Sequence, residues 1–184
     1  MNSEPWPVHI ERVFARIPLD GVEKLWYPPY CTLLTAVFTF NEGYMLAPQT
    51  YPVHNTRSKD LDIEFLIENE EGVPVLGLEI KRASDIELVQ ARIDADRQVR
   101  SRFNTITSPL PRFHIISAIG TRCCVSTYDR NTRAVTPLRI APTNPSVMED
   151  LAPFERWNID IATYEGMQAL NACFNDVKIM ASSL

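Results

Sequence analysis

No apolar run in this sequence is long enough to cross a bilayer. The longest, Leu33-Leu34-Thr35-Ala36-Val37-Phe38, falls far short of the roughly 20 residues a membrane helix needs. The opening residues Met1-Asn2-Ser3-Glu4-Pro5-Trp6 lack the basic start and apolar stretch of a secretory signal. An intracellular location, cytoplasmic or nuclear, and no membrane partner are therefore expected. The four cysteines, Cys31, Cys123, Cys124 and Cys173, show no paired spacing. Cys123 and Cys124 are neighbours, and neighbours on a strand point to opposite faces, which does not suit one shared metal. Free thiols are the expectation. His9, His54 and His114 have no metal-ligand spacing either, and His114 reads as a satisfied structural histidine inside a strand. Phosphate-loop, dinucleotide-fold and serine-hydrolase signatures are missing, as are repeats and interdomain linkers. Positive charge is also scarce. Lys and Arg total 18 against 23 Asp and Glu, a net charge of -5, which argues against a basic surface covering the whole domain. The arginines Arg92, Arg97, Arg100 and Arg102 do cluster, and the acidic balance favours a solvated helix face for them over a phosphate track.

What is present is an ordinary globular composition, 45% hydrophobic and 22% charged over 184 residues. That suits a single domain, 1–184, able to bury a core without disulfides or metals. Short helices are predicted over 10–17 and 21–26, and a third from Tyr30 to Phe40 behind Pro28-Pro29, which a first turn tolerates. A strand is expected over 43–49. Leu61, Ile63, Phe65 and Ile67 then alternate with Asp60, Asp62, Glu64 and Glu68 at strand period, and Asn69-Glu70-Glu71-Gly72 turns the chain into a second strand, Val73 to Lys81. Symmetric pairing about that turn sets Asp62 opposite Glu79, Asp60 opposite Lys81, and Glu64 opposite Gly77. The other face is then wholly apolar, which favours this register.

Ser84-Asp85-Ile86-Glu87 has the form of a capping box and predicts a helix start. The helix carries Leu88, Ala91, Ala95, Val99, Phe103 and Ile106 on one stripe. Gln98 and Arg102 flank the stripe one turn apart, whereas Arg97 and Arg100 fall on the far, solvated side. Strands are predicted over 113–119, 123–128 and 134–140, and an amphipathic helix through Met167, Leu170, Phe174, Val177 and Ala181 closes the chain. Trp157 reads as an anchor for that last segment. This order predicts an α/β sandwich around a mixed sheet.

Two carboxylates meeting across a hairpin, with a lysine two residues beyond one of them, suit a divalent metal. Repelling carboxylates gain from Mg2+, and the ion accepts their oxygens. A metal-activated water with a lysine beside it is a coherent set for phosphodiester hydrolysis. Asp62 followed by Leu76-Gly77-Leu78-Glu79-Ile80-Lys81 resembles the PD-(D/E)XK superfamily of restriction-endonuclease-like nucleases. The Gln98-bearing helix strengthens the resemblance. Ala95 to Phe103, Ile116 to Arg122 and Arg156 to Asp160 are similar to a fungal group of such proteins, so the resemblance spans about residues 28–181.

The resemblance implies an αβββαβ core and a nuclease acting on nucleic acid, DNA before RNA, with Mg2+ or Mn2+ as cofactor. Asp62, Glu79, Lys81 and Gln98 would be catalytic, Asp62 and Glu79 would hold the metal, and Arg82 and Arg102 would meet nucleic acid. The sequence departs from the family's pattern in having no Pro before its Asp. That leaves Asp60 open beside Asp62, the hairpin register favouring Asp62. A further acid on the first helix is Glu11 or Glu23, and Gln49 ends a strand beside the site. The competing reading is a non-catalytic binding or effector module of the same fold, acting as a homodimer.

Overall fold

The computed structural model describes residues 6–52, 61–144 and 147–184; side chains at 8, 50–52 and 61–63 lie outside that description. Hydrophobic periodicity sets the layers. Helix α1 (Val8–Phe14) and helix α2 (Tyr27–Val37) precede strand β1 (Tyr44–Pro52). The hairpin follows as β2 (Leu61–Asn69) and β3 (Pro74–Lys81), then helix α3 (Val89–Arg102) and strands β4 (Arg112–Ile119) and β5 (Arg122–Asp129). Two short strands, β6 (Ala134–Thr136) and β7 (Ile159–Asp160), lead to helix α4 (Tyr164–Ala181). Strands β1 to β6 lie in chain order across one mixed sheet, with β7 also paired to β5. Only β3 and β4 run parallel, as expected for strands joined through a helix; the other pairs are antiparallel. The fold is the mixed α/β sheet flanked by helices that the element order predicts.

One face of the sheet carries the main core. Phe65, Ile67, Leu76, Leu78, Ile80 and Ile116 pack there against α1, α2 and α4. Helix α2 opens with Pro28 and Pro29 in its first turn, where their missing N–H groups cost nothing. It starts three residues earlier than the sequence suggested, because the two prolines belong inside the helix. Tyr30 is fully buried and donates to the Gly120 carbonyl at 2.7 Å. Helix α4 is capped by the Thr163 hydroxyl, which accepts from the Gly166 N–H at 3.1 Å. It buries Met167, Leu170, Phe174, Val177 and Met180 on one stripe.

Helix α3 covers the opposite face, with Ala95 against Ile119 and Trp157, and Val99 against Phe113 and Ile115. The Ser84–Glu87 pattern does not start this helix. It forms a separate 3₁₀ turn, Ala83–Glu87, and extended backbone at Leu88 divides that turn from α3. Two arginines expected in solvent are drawn in by the segment that crosses α3 after β6. Arg92 is buried, donating to the carbonyls of Ala152 and Ile86 and pairing with Asp150. Arg100 pairs with Asp96 at 2.7 Å and donates to the Pro137 carbonyl. Strand β6 ends at Thr136 instead of continuing to residue 140, since Pro137 offers no ladder donor.

The hairpin register differs from symmetric pairing. Asn69 and Val73 close the turn, Gly72 sits at φ 75°, and the Asn69 side-chain oxygen accepts from the N–H groups of Glu71 and Val73. A three-residue turn of this kind slides the strands by one position. A bulge beside Pro74, between Ile67 and Glu68, slides them by a second. One slip would have exchanged the faces; two restore them. Glu64, not Asp62, therefore stands opposite Glu79, and Gly77 faces Leu66.

A candidate metal and phosphoester centre under helix α3

Backbone pairing lines up one row of polar residues across four strands: Gln49 on β1, Glu64 on β2, Glu79 on β3 and Ser117 on β4. Partners in adjacent strands share a face, and this row lies under α3. Glu64 is 2% exposed and Glu79 8% exposed, so two carboxylates are buried side by side. Gly77 makes room for them. A Cβ there would lie 3.0 Å from Ile115 and 3.3 Å from the Glu64 Oε1, so the strand interior is narrow where that carboxylate lies.

Each carboxylate faces a cation. The Lys81 Nζ lies 3.6 Å from the Glu79 Oε1, both side chains on the same side of β3. Arg102 reaches down from α3, its Nε 3.0 Å from the Glu64 Oε2. Burial pushes the Glu64 carboxyl up to about 7, against the pull of Arg102. Burial disfavours the charged form, and here the guanidinium offsets only part of that cost. Among the described residues the Glu64 Oε1 has no hydrogen-bond partner and Oε2 has only the Arg102 ion pair, although both are out of solvent. A buried oxygen pair of this kind fits a hard cation, which takes carboxylate oxygens as ligands. Among the described residues no three side chains converge as a ready metal cluster.

The other expected residues divide around this row. Asp62 stands two positions before Glu64 on β2, where its backbone pairs with Tyr51, and it is not the partner of Glu79. Its side chain, the whole of Asp60 and His54 lie outside the described residues. Gln98 is half-buried on α3, one turn before Arg102. Arg82 follows Lys81 and is exposed, paired with Asp85. Gln49 lies opposite Glu64 on the edge strand. Glu11 is exposed on α1, which packs on the other sheet face, and Glu23 accepts from the Tyr27 hydroxyl. Trp157 anchors its segment beneath α3, its Nε1 donating to the Ser117 hydroxyl at 3.4 Å.

Symmetric pairing of the hairpin kept Glu64 away from Glu79. The signal that could have found it is parity: Glu64 is an acid within a buried strand, on the same alternation as Asp62. The cysteines behave as expected. All four are free, and Cys123 and Cys124 fall in cores on opposite sheet faces. Burial raises the thiols of Cys123, Cys124 and Cys173 to about 12, 11 and 12, which leaves them inert at neutral pH.

Among the described residues no helix is long and apolar enough to cross a membrane. A scan against protein-family models returns no match, and searches of curated proteins and of solved structures return none either.

Proposed function

We propose that the chain is a divalent-metal-dependent nuclease, acting on DNA before RNA, with the Glu64–Glu79 pair and Lys81 at its centre. The observation that carries this reading is the burial of two carboxylates on one row, beside a lysine on the same face. The resemblance of Asp62 and Glu79-Ile80-Lys81 to the PD-(D/E)XK nucleases supports it. Glu79 and Glu64 would hold Mg2+ or Mn2+, joined by Asp62 as the resemblance implies. When bound, the metal supplies a Lewis acid for a phosphoryl oxygen and lowers the pKa of its water.

The protein's own groups do the rest. Lys81 is at the end of β3, with 17% of its side chain in solvent, placed to stabilise negative charge that develops on phosphorus. Arg102 favours the charged form of Glu64 against the effect of burial and fixes its position. Gln98 comes from the same helix to orient the substrate or the attacking water. Arg82, exposed beyond Lys81, meets a neighbouring phosphate.

The test incubates purified protein with linear, supercoiled and single-stranded DNA and with RNA, in Mg2+, Mn2+ or Ca2+. Cleavage in Mg2+ and Mn2+, none in Ca2+, and none by Glu79→Ala protein prepared in parallel is the expected pattern. If Glu79→Ala cuts as well as the wild type, the activity belongs to a contaminant and the reading fails.

One observation favours a second reading. Among the described residues Glu79 already faces Lys81, and Glu64 already faces Arg102, so each of these two carboxylates has a cation without a metal. A nuclease-like fold that binds a partner without cutting, as a homodimer, would keep such pairs. Calorimetry with Mn2+ separates the two readings, because the non-catalytic module shows no carboxylate-dependent metal binding.

A further inference from the structure

On the side of α3 turned away from the sheet, a cavity of about 300 Å³ opens between the helix and the segment that follows β6. Arg97, Arg100 and Ser101 form the helix wall, Arg139 stands opposite, and Ile93 and Ile140 give the cavity an apolar lining. No residue of the polar row lines it, so a ligand bound here is independent of the nuclease reading.

The charge here runs against that of the whole chain. Asp96 is shared by Arg100 at 2.7 Å and Arg156 at 2.6 Å, and Asp94 pairs with Arg97 at 2.9 Å. With Arg139, four guanidinium groups meet two carboxylates, on a protein whose net charge is -5. Arg139 is exposed, and among the described residues no ion pair or hydrogen bond engages it. The wall that carries it is held in place. Arg100 and Arg156 donate to the carbonyls of Pro137 and Leu138, directly before it in the chain. A site whose walls are fixed in advance loses less ordering entropy when a ligand enters.

We propose that this cavity binds a phosphate monoester carrying a flat apolar body, of the size of a nucleoside monophosphate. Guanidinium groups match phosphate oxygens in paired, charge-assisted hydrogen bonds and also stack on planar rings. Ile93 and Ile140 offer such a body an apolar bed. The volume stands at the lower end of small-ligand sites, which excludes larger cofactors. The same phosphate could belong to a free mononucleotide or to the end of a nucleic-acid strand.

Titration calorimetry on the full chain tests this with adenosine monophosphate, inorganic phosphate, adenosine, and one oligonucleotide with and without a 5′-phosphate. Adenosine monophosphate is expected to bind saturably, inorganic phosphate more weakly, and adenosine far more weakly still. Arg139→Ala and Arg97→Ala should each weaken adenosine monophosphate roughly tenfold, the loss of one charged contact, and Arg139→Glu should abolish binding. Both positions are exposed, so the thermal midpoint should not move. Glu79→Ala should bind like the wild type, which separates this cavity from the polar row. A strand preferred only when 5′-phosphorylated identifies a strand end as the occupant; equal strands identify the free nucleotide. Binding unchanged in both arginine variants, no binding of adenosine monophosphate, or adenosine binding equally well would overturn the proposal.

Discussion

Toward α1, α2 and α4 the sheet presents Phe65, Ile67, Leu76, Leu78, Ile80 and Ile116. Toward α3 the same strands present Glu64, Glu79 and Ser117, with Ile115 and Ile119 beside them. The alternation Leu78-Glu79-Ile80-Lys81 serves both faces at once, because strand side chains repeat every two residues. On the first face, each large side chain taken from water contributes about 1.5–3 kcal/mol. On the second, buried carboxylates cost stability and are offset by cations, and α3 is held partly by arginines: Arg92 to Asp150, Arg156 to Asp96, and Arg100 to the Pro137 carbonyl. A face that tolerates buried charge is the natural place for chemistry, and the apolar face bears that cost. Stability and activity should then separate by face, and substitutions can test the separation.

The largest effect is expected on the polar face and should leave the fold almost untouched. Glu79→Ala should lower turnover by about three orders of magnitude or more, while the unfolding free energy stays within about 1 kcal/mol of the wild type. Cleavage assays and urea melts on the same preparation check both halves. A variant that loses activity only because it unfolds would erase the distinction between the faces.

The neighbouring residue on the apolar face should do the reverse. Leu78 is 1% exposed, and Leu78→Ala should cost about 2–5 kcal/mol, the transfer loss plus the cavity left behind. Urea denaturation measures it. Whatever folded protein remains should cut and bind Mn2+ as before, since Leu78 points away from the polar row.

The apolar face was the more legible of the two in sequence. Alternation through Phe65 and Ile67 and over 74–81, and the stripe from Met167 to Val177, name core residues because burial and periodicity report the same fact. The polar row was half legible. Glu79, Lys81 and the flank of Gln98 and Arg102 followed from period alone, but the partner of Glu79 depended on register. Register depends on turn chemistry at Asn69-Gly72 and on a bulge at Pro74, neither of which changes the hydrophobic pattern. Two slips that cancel in parity leave no trace in it. The burial of Arg92 and the partial burial of Arg100 were not legible either, because they require Pro137 and the residues 150–156 to pack over α3.

A third test uses pH on the polar face. Glu64 lies at about 7 in the folded protein, raised from 4.5, so the native state holds a proton that the unfolded chain releases. Its contribution to stability is fully present below the unfolded value and is lost as pH rises through about 7. Glu64→Gln, which cannot ionise, escapes that loss. Its unfolding free energy relative to wild type should improve by about 2–3 kcal/mol between pH 4 and pH 8.5 in metal-free buffer. Comparing the same pair of proteins at both pH values cancels any constant packing change. A difference independent of pH would mean that Arg102 fully compensates the carboxylate.

The smallest effect is expected at His114, a buried ionisable group that lies on the apolar side and carries the opposite sign. His114 is 7% exposed, its ring bridging the Thr127 hydroxyl at 2.8 Å and the Asp176 carboxylate at 2.9 Å. Burial is the largest influence and lowers its pKa, and Arg112 lowers it further, against the pull of Asp176. The carboxylate of Asp176 loses solvation but remains below its ordinary value, because His114 and Arg112 both hydrogen-bond to it. The native state therefore keeps His114 neutral where the unfolded chain would bind a proton. Its contribution is complete above the unfolded value of 6.5 and is lost as pH falls through the folded one. His114→Gln should thus gain on the wild type as pH drops from 7.5 to 5, the reverse of Glu64→Gln, which gains as pH rises. Asp176 opposes burial here through both a hydrogen bond and its charge, whereas only the charge of Arg102 does so at Glu64, so the change should be the lesser of the two. Urea melts of both variants across that pH range, with Asp176→Asn as a control that removes the opposing carboxylate and steepens the wild-type loss, read the two signs directly. Equal signs would show that the two faces do not differ in how they treat buried charge.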